Sequence, residues 1–140
     1  MTAPDADPPA EPSEPDEGAE EMVEAEEEEE LLYTDLPVAS LDELRAAMDW
    51  AFEVENVEPT LLDRFAEHAR MVLEGNKTQN LSAIVEPKEL AAKHYLDSWR
   101  TTQFLPIFGR TVLDLGTGAG FPAIPMAIAE PDTKFVAVDA

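Results

Sequence analysis

The sequence predicts an α/β chain in which a helical part leads into a strand, glycine loop, helix and second strand. Apolar residues recur at helical intervals from Leu41 to Trp99, and the texture changes to short β-rich runs at Thr111 and Lys134. Gly116, Gly118 and Gly120 follow the first of those runs at once. A chain of 140 residues fits one domain at most.

Charge divides the chain before any element is placed. Residues 1 to 30 hold 14 of the 31 Asp and Glu and no Lys or Arg, so the formal net charge of −22 is concentrated at one end. Residues 1–35 are therefore expected to be a disordered acidic arm, too charged and too poor in apolar side chains to offset the entropy of ordering. Two readings of the arm stand open: a solubilising tail, or a docking segment for a basic partner. The same charge excludes this segment, by itself, as a general nucleic-acid binder, because phosphate contacts draw on Lys and Arg. The absence of cysteine excludes a disulfide framework, a thiolate metal site and a Cys nucleophile. No basic stretch precedes an apolar one near Met1, and no apolar run approaches the ~18 residues of a membrane span. A soluble, cytoplasmic chain is expected.

Residues 36–109 read as the helical part. Ser40 and Glu43 have capping-box spacing, and Leu41, Leu44, Met48, Ala51 and Phe52 line one face of a helix from about Leu41 to Glu55. After Pro59, Thr60 is placed to cap a second helix, with Leu62, Phe65, Ala66, Ala69, Val72 and Leu73 as its stripe and Gly75 at its end. Asn76 to Asn80 reads as a polar connector. Pro87 starts a third helix through Leu90, His94 and Trp99, which Pro106 and Gly109 close.

Residues 110–140 carry the second texture. Thr111 to Leu115 is a strand, Phe121 to Glu130 a helix with Pro122 and Pro125 near its first turn, and Pro131 a stop. Lys134 to Val138 is a second strand with Asp139 at its carboxyl end, so the whole spells a βαβ unit. In such a unit the glycines let the backbone approach a ligand, and the helix N-terminus offers N–H groups and partial positive charge. Asp139, about twenty residues beyond the loop, is the expected acceptor for a ribose diol.

Spacing separates two cofactor classes. A dinucleotide fingerprint, G-x-G-x-x-G/A, would need a small residue where Phe121 stands, with Gly120 one place early. The run Asp114-Leu-Gly-Thr-Gly-Ala-Gly120 is instead similar to the first motif of Rossmann-like S-adenosylmethionine methyltransferases. Asp114 is expected to order the glycine loop through backbone N–H groups.

Three blocks in order carry a closer resemblance: Asn76-Lys-Thr-Gln-Asn-Leu-Ser-Ala-Ile84, His94-Tyr-Leu-Asp-Ser98, and Val112 through the glycine loop to Ile128. Together they resemble the RsmG (GidB) family of 16S ribosomal RNA guanine-N7 methyltransferases. The resemblance implies a Rossmann-like class I methyltransferase with an N-terminal helical cap, truncated after its second strand. It implies S-adenosyl-L-methionine as cofactor, held by Asp114, Gly116, Gly118, Gly120, Phe121 and Asp139. Asn80, His94, Asp97 and Ser98 would line or support the pocket; a polar network anchoring the third helix is the equal alternative for them. The implied partner is 16S ribosomal RNA or the assembling small subunit, with no metal and no membrane. One departure lies inside the signature: Ala123 stands where the family usually has Gly.

Guanine N7 carries a free lone pair, so methyl transfer needs no general base, and no catalytic side chain is assigned. His94, Asp97 and Ser98 crowd one helical face and do not meet the geometry of a hydrolase triad. His68 and His94, on different predicted helices, lack the spacing of a metal pair. Two parallel strands leave apolar faces and backbone edges uncovered, so the isolated chain is expected to be inactive. The rival readings are an acidic interaction protein for basic ribosomal or assembly partners, and a class I methyltransferase with another substrate.

Overall fold

The computed structural model describes residues 37–140, and the acidic arm expected over residues 1–35 lies outside them. The described chain is mixed helix and strand: α1 (Leu41–Ala51), α2 (Pro59–Gln79), α3 (Pro87–Leu90), a π-helical turn (Ala91–Leu96), α4 (Asp97–Phe104), β1 (Thr111–Leu115), α5 (Ala123–Ala129) and β2 (Lys134–Val138).

The capping box forms as the spacing predicts. The Ser40 N–H donates to Glu43 Oε2 at 2.8 Å, and the Glu43 N–H donates back to Ser40 Oγ at 3.3 Å. For α2 the expectation needs correction at both ends. Glu58 occupies the N-cap without a side-chain bond and Pro59 opens the helix, so Thr60 lies inside it. Proline already has the φ of a first helical residue and no N–H to satisfy, which makes a capping hydroxyl dispensable.

At the other end α2 runs through Gly75 to Gln79, and the polar connector expected from Asn76 is its last turn. Asn80 ends it in the left-handed conformation, φ 46°, which Asn tolerates better than most residues. Gly75 answers a different need: a Cβ there would lie 2.9 Å from Leu81 Cδ1 as the chain folds back. Buried Asn76 directs that return, donating from Nδ2 to the Ser82 carbonyl at 2.9 Å and accepting the Ser82 N–H at 2.8 Å.

Helix α3 starts where Pro87 predicts, capped by Glu86, whose Oε2 accepts the Glu89 N–H at 2.7 Å. Helical backbone then continues from Ala91 to Phe104, interrupted by the π turn that periodicity does not announce. The core lies among these helices. Leu44 and Met48 of α1 and Phe52 at its C-cap meet Leu62, Phe65 and Ala69 of α2 and Leu90 and Tyr95 beyond. Phe52 packs at 5.8 Å from Phe65 and 5.6 Å from Trp99, ring centroid to centroid. Arg45 ties α1 to α2, donating from Nε to Asp63 at 2.6 Å.

Strands β1 and β2 coincide with the predicted runs and pair in parallel, Thr111 opposite Lys134 through Leu115 opposite Val138. Helix α5 starts later than expected, because Gly120 to Pro122 form a turn before it, and ends one residue early with Glu130 as its C-cap. Ile128 and Ala129 pack on the helical core, so α5 joins the sheet to the helices. The opposite sheet face is apolar and open: Leu113 and Leu115 are 58% and 73% exposed, beside Val136 and Val138.

Candidate functional site

The parallel register places the ends of β1 and β2 side by side, and everything at the site follows from that. Val138 is opposite Leu115, so its carbonyl accepts the Gly116 N–H at 2.7 Å, and Asp139 emerges beside the glycine loop. Its Oδ2 accepts the Gly118 N–H at 2.7 Å. The loop-ordering carboxylate is therefore Asp139, not Asp114 as expected from the motif. Asp114 lies one residue before the end of β1, and its Oδ2 is buried with no hydrogen-bond partner. Thr117 Oγ1 is buried and unpartnered as well.

The three loop glycines serve two needs. All have positive φ, 75° at Gly116, 53° at Gly118 and 89° at Gly120. A Cβ on Gly116 or Gly118 would meet nothing within 4 Å, whereas one on Gly120 would lie 2.3 Å from Ile124 Cδ1. Gly120 is thus the close-packing glycine, and the first two leave open space along the loop. The loop N–H groups expected to face a ligand are largely engaged inside the loop. Those of Gly120 and Phe121 donate to the Thr117 carbonyl at 2.9 and 3.0 Å, and that of Ile124 to the Gly120 carbonyl at 2.7 Å. A loop so engaged offers shape and an acidic acceptor more than an anion cradle.

Phe121 turns its ring to the helices, stacked on His94 with centroids 4.2 Å apart and planes 10° apart. Tyr95 and His68 meet the same ring edge-on at 5.3 and 5.6 Å. His68 Nδ1 and the Tyr95 hydroxyl share a hydrogen bond at 2.7 Å. Burial pushes His68 down to about 4 and raises the Tyr95 hydroxyl far above its usual range, so both are neutral near pH 7. Burial also lowers His94, partly opposed by Asp97.

The remaining predicted residues are dispersed. Ser98 is buried, and its hydroxyl donates to the His94 main-chain carbonyl. Asp97 and Asn80 are exposed, and among the described residues no hydrogen bond joins their side chains to the loop. Ala123, the departure from the family pattern, is buried as the first residue of α5. Sequence reasoning missed His68 and Tyr95 as neighbours of the loop. The available signal was a polar-tipped ring on each apolar stripe, which marks burial without naming the partner. An apolar groove lined by Val38, Leu73, Asn76 and Val85 contains no loop residue.

With this geometry in view, the comparison with known proteins is decisive at the level of family. The GidB family model, described as rRNA small subunit methyltransferase G, matches residues 61–140. The chain belongs to the rRNA small subunit methyltransferase G family. Curated methyltransferase G relatives include that of Desulforamulus reducens, 46% identical over 76 residues, covering 54% of this chain and 32% of the relative. That of Trichormus variabilis is 43% identical over 83 residues, covering 54% of this chain and 34% of the relative. The chain thus spans about a third of the length of the methyltransferase G proteins it matches. No solved structure matches it. Among the described residues no helix is long and apolar enough to cross a membrane, and no group of three His, Cys, Asp or Glu is placed to hold a metal ion.

Proposed function

We propose that the chain forms the first part of a Rossmann-like, S-adenosylmethionine-dependent methyltransferase that modifies N7 of a guanine in 16S ribosomal RNA, free or in the assembling small subunit. The observation that carries the cofactor reading is the convergence of an open-sided glycine loop with the Asp139 carboxylate, 2.7 Å from the Gly118 N–H. A carboxylate at the carboxyl end of the second strand suits a ribose diol, which donates two hydroxyls. The partnerless Asp114 Oδ2 and Thr117 Oγ1 are polar atoms that a cofactor with its own donors would satisfy. The engaged loop amides weigh against a pyrophosphate, which needs free N–H donors.

In this reading Gly116, Gly118 and Gly120 shape the cofactor wall, Asp139 orients the ribose, and Asp114 and Thr117 serve the polar end. Phe121 takes part through its backbone, its ring being engaged with the helices. His94 and Ser98 support the loop from the π turn, with Asp97 and Asn80 at the margin. When bound, S-adenosylmethionine supplies an electrophilic methyl group on sulfonium. Guanine N7 needs no deprotonation, so these residues position and exclude water and none acts as a base.

The domain assignment proposed is an acidic arm over 1–35, helical residues 36–109, and the start of the cofactor domain over 110–140, in a cytoplasmic protein. The charge run Glu26 to Glu30 suits a solubilising tail, with docking of the arm on a basic ribosomal partner as the second reading. Two measurements test the reading. Labelled S-adenosylmethionine should bind in equilibrium dialysis and resist competition by NAD. Deleting the coding sequence should remove one N7-methylguanosine from digested 16S rRNA. Preference for NAD, or an unchanged nucleoside profile, would refute it.

A further inference from the structure

The residue that follows the glycine loop is gripped by rings from two helical segments. Phe121 lies flat on His94, at 4.2 Å, and edge-on to Tyr95 and His68. His94 and Tyr95 are adjacent in sequence, lie within the π-helical turn Ala91–Leu96, and both address one ring. Such turns inside longer helices recur at functional sites. Two rings of the socket are tied to each other, His68 to the Tyr95 hydroxyl at 2.7 Å, and the His94 carbonyl accepts the Ser98 hydroxyl. On the loop side the Phe121 N–H donates to the Thr117 carbonyl at 3.0 Å, closing a turn that contains Gly118. Gly118 in turn donates to Asp139.

We infer that His94 is a positioning residue acting through Phe121: its stacked imidazole holds the Thr117 to Phe121 turn where the Gly118 N–H meets Asp139. The helical layer thereby sets the geometry of the candidate cofactor site without touching the cofactor. The effect on cofactor affinity rests on the S-adenosylmethionine reading of the loop; the effect on loop geometry does not.

The test uses the full 140-residue chain, isotopically labelled, with His94→Ala, His94→Phe and Phe121→Leu. The readouts are the Gly118 amide proton shift and exchange rate, and affinity for S-adenosylmethionine by dialysis. His94→Ala is expected to speed Gly118 exchange and weaken binding roughly three- to tenfold, as loss of one aromatic stack implies, with amides of α1 unchanged. His94→Phe keeps a flat ring and is expected to restore both. Gly118 unchanged in His94→Ala, or no recovery in His94→Phe, overturns the inference. If His94→Ala fails to fold, Phe121→Leu gives the same decision, and an unperturbed Gly118 again overturns it. Wild-type chain that binds no S-adenosylmethionine but loses Gly118 protection in His94→Ala refutes the cofactor reading alone.

Discussion

Gly118 donates its N–H to the Asp139 carboxylate at 2.7 Å, joining two residues that lie 21 positions apart. The bond ties the loop after β1 to the residue after β2, so the acid proposed for the ribose also holds the loop. Asp139 Oδ1 takes the N–H of Ala140 at 2.9 Å, and each oxygen retains a lone pair for a further donor.

Replacing Asp139 should therefore affect the cofactor through both roles. Asp139→Ala is expected to weaken S-adenosylmethionine roughly 10- to 100-fold, the effect of losing charge-assisted hydrogen bonds. Asp139→Asn keeps an acceptor for Gly118 and should fall between the two. Calorimetric titration of the three proteins checks this, and equal affinities would remove Asp139 from the site.

The glycines should separate in denaturation. Gly120→Ala meets Ile124 and a φ of 89° together, and is expected to lose about 2–3 kcal/mol. Gly116→Ala meets only the backbone term, about 1–2 kcal/mol. Urea midpoints that rank the two the other way would contradict the close-packing role of Gly120.

His68 makes stability depend on pH. Its folded value, about 4, lies below the ordinary 6.5, so as pH falls the unfolded chain takes up the proton first. The contribution is complete above pH 6.5 and lost progressively toward pH 4. It amounts to about 2 kcal/mol once discounted for the partly open side of the ring. His68→Gln should flatten unfolding free energy against pH across that window relative to wild type; an unaltered slope would show that His68 is not buried neutral.

Asn76 is buried in the last turn of α2 and satisfies both main-chain groups of Ser82. Asn76→Ala leaves those groups unpaired and is expected to destabilise by about 2 kcal/mol. Asn76→Asp keeps the acceptor, loses the donor and should also destabilise. Thermal melts of both variants at neutral pH decide the matter, and a melt of Asn76→Ala matching wild type would deny the residue this role.

Local patterns in the sequence were enough to determine the pieces. Ser40 with Glu43, Pro87 at a helix start, and the β-rich runs at Thr111 and Lys134 each express a preference satisfied within a few residues, so the capping box, the starts of α1 and α3 and both strands stand where they were expected. The three motif blocks likewise determined the family, because they survive as linear strings. Where a residue answers to a distant neighbour, local pattern misled. Gly75 looks like a helix end but is small because Leu81 returns over it. Asp114 looks like the loop's anchor, yet the parallel register brings Asp139 to Gly118 instead. The contacts of His94, Tyr95 and His68 with Phe121 exist only once α2, the π turn and the loop before α5 have packed. Burial and partner choice are properties of that packing, set by which apolar faces meet, and no spacing along the chain encodes them.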